Sequence, residues 1–153
     1  MGNTKSIGVA YSDQDIDGGT IGATTPSTIV GTTVYATSEI GYSAAAQGTV
    51  TQATSKSTAV TLNKSAGQIT MNNAALAGST AVSFTLNNTL ISANDTIIVC
   101  ISSVTTGSTA GAYTTYVSNM TAGSASITLR NLTTATSYSE AVVINFSIIH
   151  GAS

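Results

Sequence analysis

Nucleophilic chemistry needs a nucleophile with a general base in reach, and this chain offers few groups for either role. Its one histidine, His150, stands three residues before the end, and its one cysteine, Cys100, sits inside an apolar run. A Cys–His pair forms only if the fold brings the two together. Otherwise Cys100 reads as a small core residue and His150 as a strand-end residue. Serines are plentiful, yet none stands in a G-x-S-x-G elbow. No catalytic residue is assigned, and the chain is expected not to be an enzyme.

The run Asp13-Gln14-Asp15-Ile16-Asp17-Gly18 matches the first half of a calcium loop, in which alternating carboxylates curl around a hard cation. The match then fails, because Thr24 stands where the bidentate acid belongs and no helices flank the segment. Asp13, Asp15 and Asp17 read instead as a solvated acidic turn, so neither a metal nor a cofactor is expected. Met1-Gly2-Asn3-Thr4-Lys5-Ser6 fits a myristoylation pattern. A single acyl chain holds a membrane weakly without a basic patch, and none is present. Sequons such as Asn63-Lys64-Ser65, Asn94-Asp95-Thr96 and Asn131-Leu132-Thr133 follow from composition. Tyr113 and Tyr116 fall on opposite faces of one strand, which prevents a single aromatic shelf for a sugar.

Charge is the unusual quantity in the composition. Only 7% of the 153 residues are charged, against about 25% in ordinary domains. Ser and Thr fill roughly a third of the chain. Thr is β-branched and favours extended backbone. Isolated β proteins protect their sheet edges with Lys, inward charges or Pro, but this chain has four basic residues (Lys5, Lys56, Lys64, Arg130) and one proline. Its edges are therefore expected to be covered by neighbouring subunits. The net charge of −2 gives no footprint for nucleic acid or an anionic membrane. No apolar run approaches the ~20 residues of a spanning helix. Residues 1–10 lack the basic and apolar regions of a secretory signal, and one cysteine excludes an internal disulfide framework. Synthesis in a reducing cytoplasm is expected.

The elements follow from periodicity. Residues 1–27 hold three of the six acids and the only proline with little apolar patterning, and read as an extended arm. Ile29, Val30, Val34 and Tyr35 suggest a strand near 28–36, and residues 41–48 a loop with a turn at 44–46. From Thr49 onward period-2 alternation marks half-buried strands. It places Val60 and Leu62 inward, then Ile69 and Met71, then Val82, Phe84 and Leu86, then Ile127 and Leu129. Residues 96–101 are apolar at nearly every position and read as a strand covered on both faces. Residues 141–150 carry Val142, Ile144, Phe146 and Ile148 on one face, with Val143 and Ile149 opposite. A second helical turn is placed at 73–77. These signals predict an all-β fold, an antiparallel β-sandwich of about eight strands, jelly-roll-like, over residues 41–153 with an extended N-terminal arm over 1–40. Two strands apolar on both faces exceed what one core needs, and point to an intersubunit face.

The blocks Gly48 to Lys64 (GTVTQATSKSTAVTLNK), Gly67 to Met71 (GQITM) and Val82 to Asn88 (VSFTLNN) recur in order with Ile91, with Asp95 ahead of Ile97–Ile101, and with INFSII at 144–149. Over about two thirds of the chain, Thr49 to His150, this order resembles tailed-bacteriophage virion structural proteins of the head-decoration (cement) or head-fibre type. The resemblance implies a β-sandwich displayed on a virion, a homotrimer on the outer capsid surface with the major capsid protein as partner, and no catalytic residue. The expected function is a decoration protein that stabilises a phage head. The alternative is a receptor-binding or structural module of a head or tail fibre. A surface-layer or pilus-like subunit is disfavoured by the missing signal.

Overall fold

The computed structural model describes residues 33–105 and 110–151. The chain divides into two units, Met1–Glu39 and Ile40–Ser153. The arm at 1–27, with Asp13, Asp15 and Asp17, lies outside the described residues, as does most of the strand expected near 28–36. Residues 33–36 of that stretch hold no regular structure.

Within Ile40–Ser153 the chain is all-β. Among the described residues eight strands form in order: β1 (Gln47–Thr51), β2 (Val60–Thr61), β3 (Ala66–Thr70), β4 (Ala81–Asn87), β5 (Thr96–Val104), β6 (Tyr113–Thr121), β7 (Ser124–Asn131) and β8 (Val142–Ile149). A 3-10 turn at Ala44–Ala46 falls where the small-residue run suggested one. None forms at 73–77; there Leu76 instead bridges to Tyr138, each backbone N–H donating to the other's carbonyl. The strands make two four-stranded sheets, β1-β3-β8-β5 and β2-β4-β7-β6. Alternation works as anticipated: Val60, Ile69, Phe84, Leu86, Ile127, Leu129, Ile144, Phe146 and Ile148 are all buried in one core between the sheets. Burying each such side chain contributes about 1.5–3 kcal/mol relative to leaving it in water.

Four of the six pairings are antiparallel, but β1 with β3 and β2 with β4 run parallel. The expectation of a wholly antiparallel, jelly-roll-like sandwich is corrected at these two edges. The cause is the path of the chain. From β1 to β4 it changes sheet after every strand, so each return to a sheet runs in the direction of the previous visit. Only β6 and β7 join through a tight hairpin, in which Gly123 holds φ at +83°, a conformation other residues adopt at a cost.

β8 lies between β3 and β5 and is buried along most of its length, which explains its nearly continuous apolar sequence. β5 has an equally apolar sequence but occupies an edge. Ile97, Val99 and Ile101 pack on the core, whereas Thr96, Ile98 and Cys100 face outward and are exposed. The expectation of a strand covered on both faces is thus corrected for the single chain, and Cys100 is a surface thiol rather than a core residue.

Candidate functional site

Cys100 and His150 are not brought together. In the β5–β8 ladder Cys100 faces Asn145 and Thr96 faces Ile149. His150 is therefore some five residue positions away, roughly 16 Å at strand rise.

What His150 does meet is Asp95, whose carboxylate is buried. Asp95 Oδ2 accepts from His150 Nδ1 at 3.1 Å and from the Ser92 backbone N–H at 2.8 Å, while Oδ1 accepts from Ser92 Oγ at 2.7 Å and the Gly151 N–H at 3.0 Å. The Ser92 hydrogen bonds, chiefly, hold the carboxyl down at about 2. An ionised carboxylate only accepts, so the hydrogen on His150 sits on Nδ1. Gly151 packs directly on the Asn94 carbonyl, where a side chain would not fit. Serine, histidine and aspartate are all present, but wired wrongly for nucleophilic catalysis. The Ser92 hydroxyl donates to the carboxylate and has no base to activate it, whereas a triad needs serine on the far nitrogen of histidine. The arrangement is a clasp that fastens the end of β8 to the turn before β5.

Four other buried polar side chains, Gln52, Lys56, Asn88 and Asn131, share this character. Gln52 donates to the carbonyls of Lys56 and Thr58 and accepts from the Asn72 N–H. Lys56 Nζ donates at 2.6 Å to the carbonyls of Asn72 and Glu140. Burial lowers the Lys56 ammonium below its ordinary range, and the buried Glu140 charge works in the opposite direction. Asn88 and Asn131 each tie a strand end to neighbouring loops through both ends of the amide. The block GTVTQATSKSTAVTLNK therefore encodes a corner. Gln52 satisfies carbonyls within the turn between β1 and β2, and Lys56 reaches from that turn to the carbonyls of Asn72 after β3 and Glu140 before β8.

Among the described residues no group of three or more His, Cys, Asp or Glu side chains converges, and no helix is long and apolar enough to cross a membrane. Tyr113 is buried with its ring 6.1 Å from that of Tyr138, while Tyr116 faces solvent, so they occupy opposite faces as the spacing requires.

The chain matches no family model, no curated protein and no solved structure.

The remaining distinctive feature is a surface. Ile98 and Ile149 are 53% and 55% exposed on the outer side of the β5–β8 pair. Ile98 faces Ser147 and Ile149 faces Thr96, so the two isoleucines are diagonal neighbours on one face. An adjoining cleft of about 590 Å³ is lined by Ile40, Gly41, Tyr42, Ser147, Ile149 and His150. Tyr42 caps it, its hydroxyl donating to the Ile148 carbonyl. A second, polar depression of about 370 Å³ lies along β1, β3 and β8, lined by Gln47, Thr49, Gln68 and Asn145 among others. Sequence reading detected surplus apolar residues in β5 and β8 but missed the clasp, because Ser92, Asp95 and His150 have no tell-tale spacing.

Proposed function

We propose that this chain is a non-enzymatic structural protein of a virion: a capsid decoration or cement protein that oligomerises, as a homotrimer, on the outer surface of a phage head. Its partners in this reading are further copies of itself and the major capsid protein. One observation carries it most directly. β5 is a nine-residue edge strand, without charge or proline, whose outward face sets the exposed Ile98 and Cys100 among Thr96, Ser102 and Ser103. Such an edge is an aggregation hazard in an isolated protein and an asset in one designed to be packed. Two further observations agree. The buried Gln52, Lys56, Asn88 and Asn131 are committed to holding loops, and Ser92, Asp95 and His150 form a clasp without an activated nucleophile. The order of motifs from Thr49 to His150 also resembles head-decoration proteins.

In this role the subunit adds burial across joints in the shell, at about 1,600 Å² for a specific contact of ordinary size. Residues 1–27 are assigned to the capsid contact. Deleting them tests the reading, with folding followed by circular dichroism and binding by co-sedimentation with purified heads. The truncated chain is expected to fold and oligomerise but to lose head binding. A truncated chain that binds heads as well as the full chain contradicts the assignment. Binding to host cells that survives the deletion, with no head binding by the full chain, favours a fibre module instead.

A further inference from the structure

We infer that the β5 edge, with the outward stripe of Ile98, Cys100 and Ile149, is the surface through which copies of this chain meet. The inference deepens the proposed function by assigning the self-contact to particular residues, and it rests on that reading for its biological meaning only. The physical case is independent of any capsid.

The backbone supplies the first part of the case. β5 pairs with β8 on one side, and among the described residues the row of N–H and C=O groups on its other side faces no strand of its own sheet. A nine-residue edge of this kind templates another strand unless lysine, proline, an inward charge or a strong distortion protects it. From Thr96 to Val104 none of those residue types is present, and the one irregularity falls late, between Ile101 and Ser103.

Side chains supply the second part. Ile98 and Ile149 expose more than half their surface, Cys100 is exposed between polar neighbours, and the cleft roofed by Tyr42 continues the apolar area past Ile149.

Charge selects the occupant. Neither β5 nor the lining of the cleft contains Asp, Glu, Lys or Arg, and the adjacent Asp95 is buried and engaged by His150. A nucleic acid, an anionic lipid surface or a strongly charged protein finds no counter-charge here. A second copy presents the same uncharged surface, with Ile98 and Ile149 set among hydroxyl and amide side chains, so like meets like without repulsion. Identical chains meet this condition automatically only because the face lacks charge.

The test uses the full chain. Its mass in solution is measured by light scattering across a concentration series, together with the rate at which Cys100 reacts with a maleimide. Wild-type protein is expected to be oligomeric, with Cys100 reacting at least tenfold more slowly than in the unfolded chain and the protection disappearing on dilution to monomer. Ile98→Asp, at a position already half in water, is expected to give a folded monomer with a freely reacting Cys100. Ile98→Val is expected to remain oligomeric. A wild-type chain that is monomeric at high concentration overturns the inference, as does an oligomer in which Cys100 reacts freely or Ile98→Asp leaves the mass unchanged. Head binding does not enter these readouts. An oligomer that ignores capsids would refute the proposed function while leaving the interface standing.

Discussion

Asp95 is the residue on which most local structure converges, and its behaviour with pH is predictable. In the folded chain its carboxyl titrates at about 2, below the ordinary 3.8. A depressed acid stabilises the fold fully above the unfolded value, and loses that contribution as the pH falls through the folded one. Asp95→Asn is therefore expected to melt at lower temperature than wild type at pH 7, with the gap narrowing between pH 4 and 2. Thermal melts at several pH values check this, and a gap independent of pH contradicts it. Lys56 makes the complementary case. It is buried, donates to two backbone carbonyls and lies close enough to the Glu140 charge to feel it. Removing the ammonium leaves two buried carbonyls without their donor, at about 1–3 kcal/mol each. Lys56→Met is expected to lose stability on that scale in urea denaturation. Adding Glu140→Gln should restore part of the loss, and strictly additive effects would show that the two charges are not coupled.

Strands with clean alternation were legible from sequence because a two-residue period has one physical meaning, a surface with one dry side. Ile69, Phe84, Leu86, Ile127 and Leu129 all point where that period puts them. Sheet order was not legible. Parallel pairing of β1 with β3 depends on which sheet the intervening β2 joins, and no local pattern records that choice. Nor does an apolar run distinguish a central strand from an edge awaiting a partner, and so β5 and β8 read alike while only β8 is enclosed. The buried amides were equally hidden, since Gln52, Asn88 and Asn131 look like any polar residues in a chain rich in them. Two element-scale outcomes follow. Ile127→Ala, in the centre of its sheet, should destabilise by about 2–5 kcal/mol through lost burial and the cavity left behind. Gly123→Val should cost about 1–2 kcal/mol by forcing a branched residue into a left-handed turn. Denaturant midpoints at unchanged slope test both, and an undisturbed midpoint for either would contradict the packing or turn described.

Among the described residues the subunit forms its interior connections with uncharged groups, the buried Lys56 ammonium and the Asp95–His150 clasp. Its few charges are scattered: Lys56 and Glu140 are buried, Asp95 is bound to His150, and Lys64 reaches the Ala45 carbonyl near the start of β1. Such a molecule has little electrostatic repulsion to keep copies apart. It also has an edge strand, β5, that carries neither charge nor proline. Both properties suit a protein whose working state is an ordered array and are hazards for one that stays alone. If the proposed function holds, the most direct test of that account is electron cryo-microscopy of phage heads assembled with and without this chain. The account predicts discrete, regularly spaced density on the outer surface, present only with the protein and containing contacts between β5 edges of neighbouring copies. Heads that look the same in both preparations, with the protein left in solution as single chains, would contradict it.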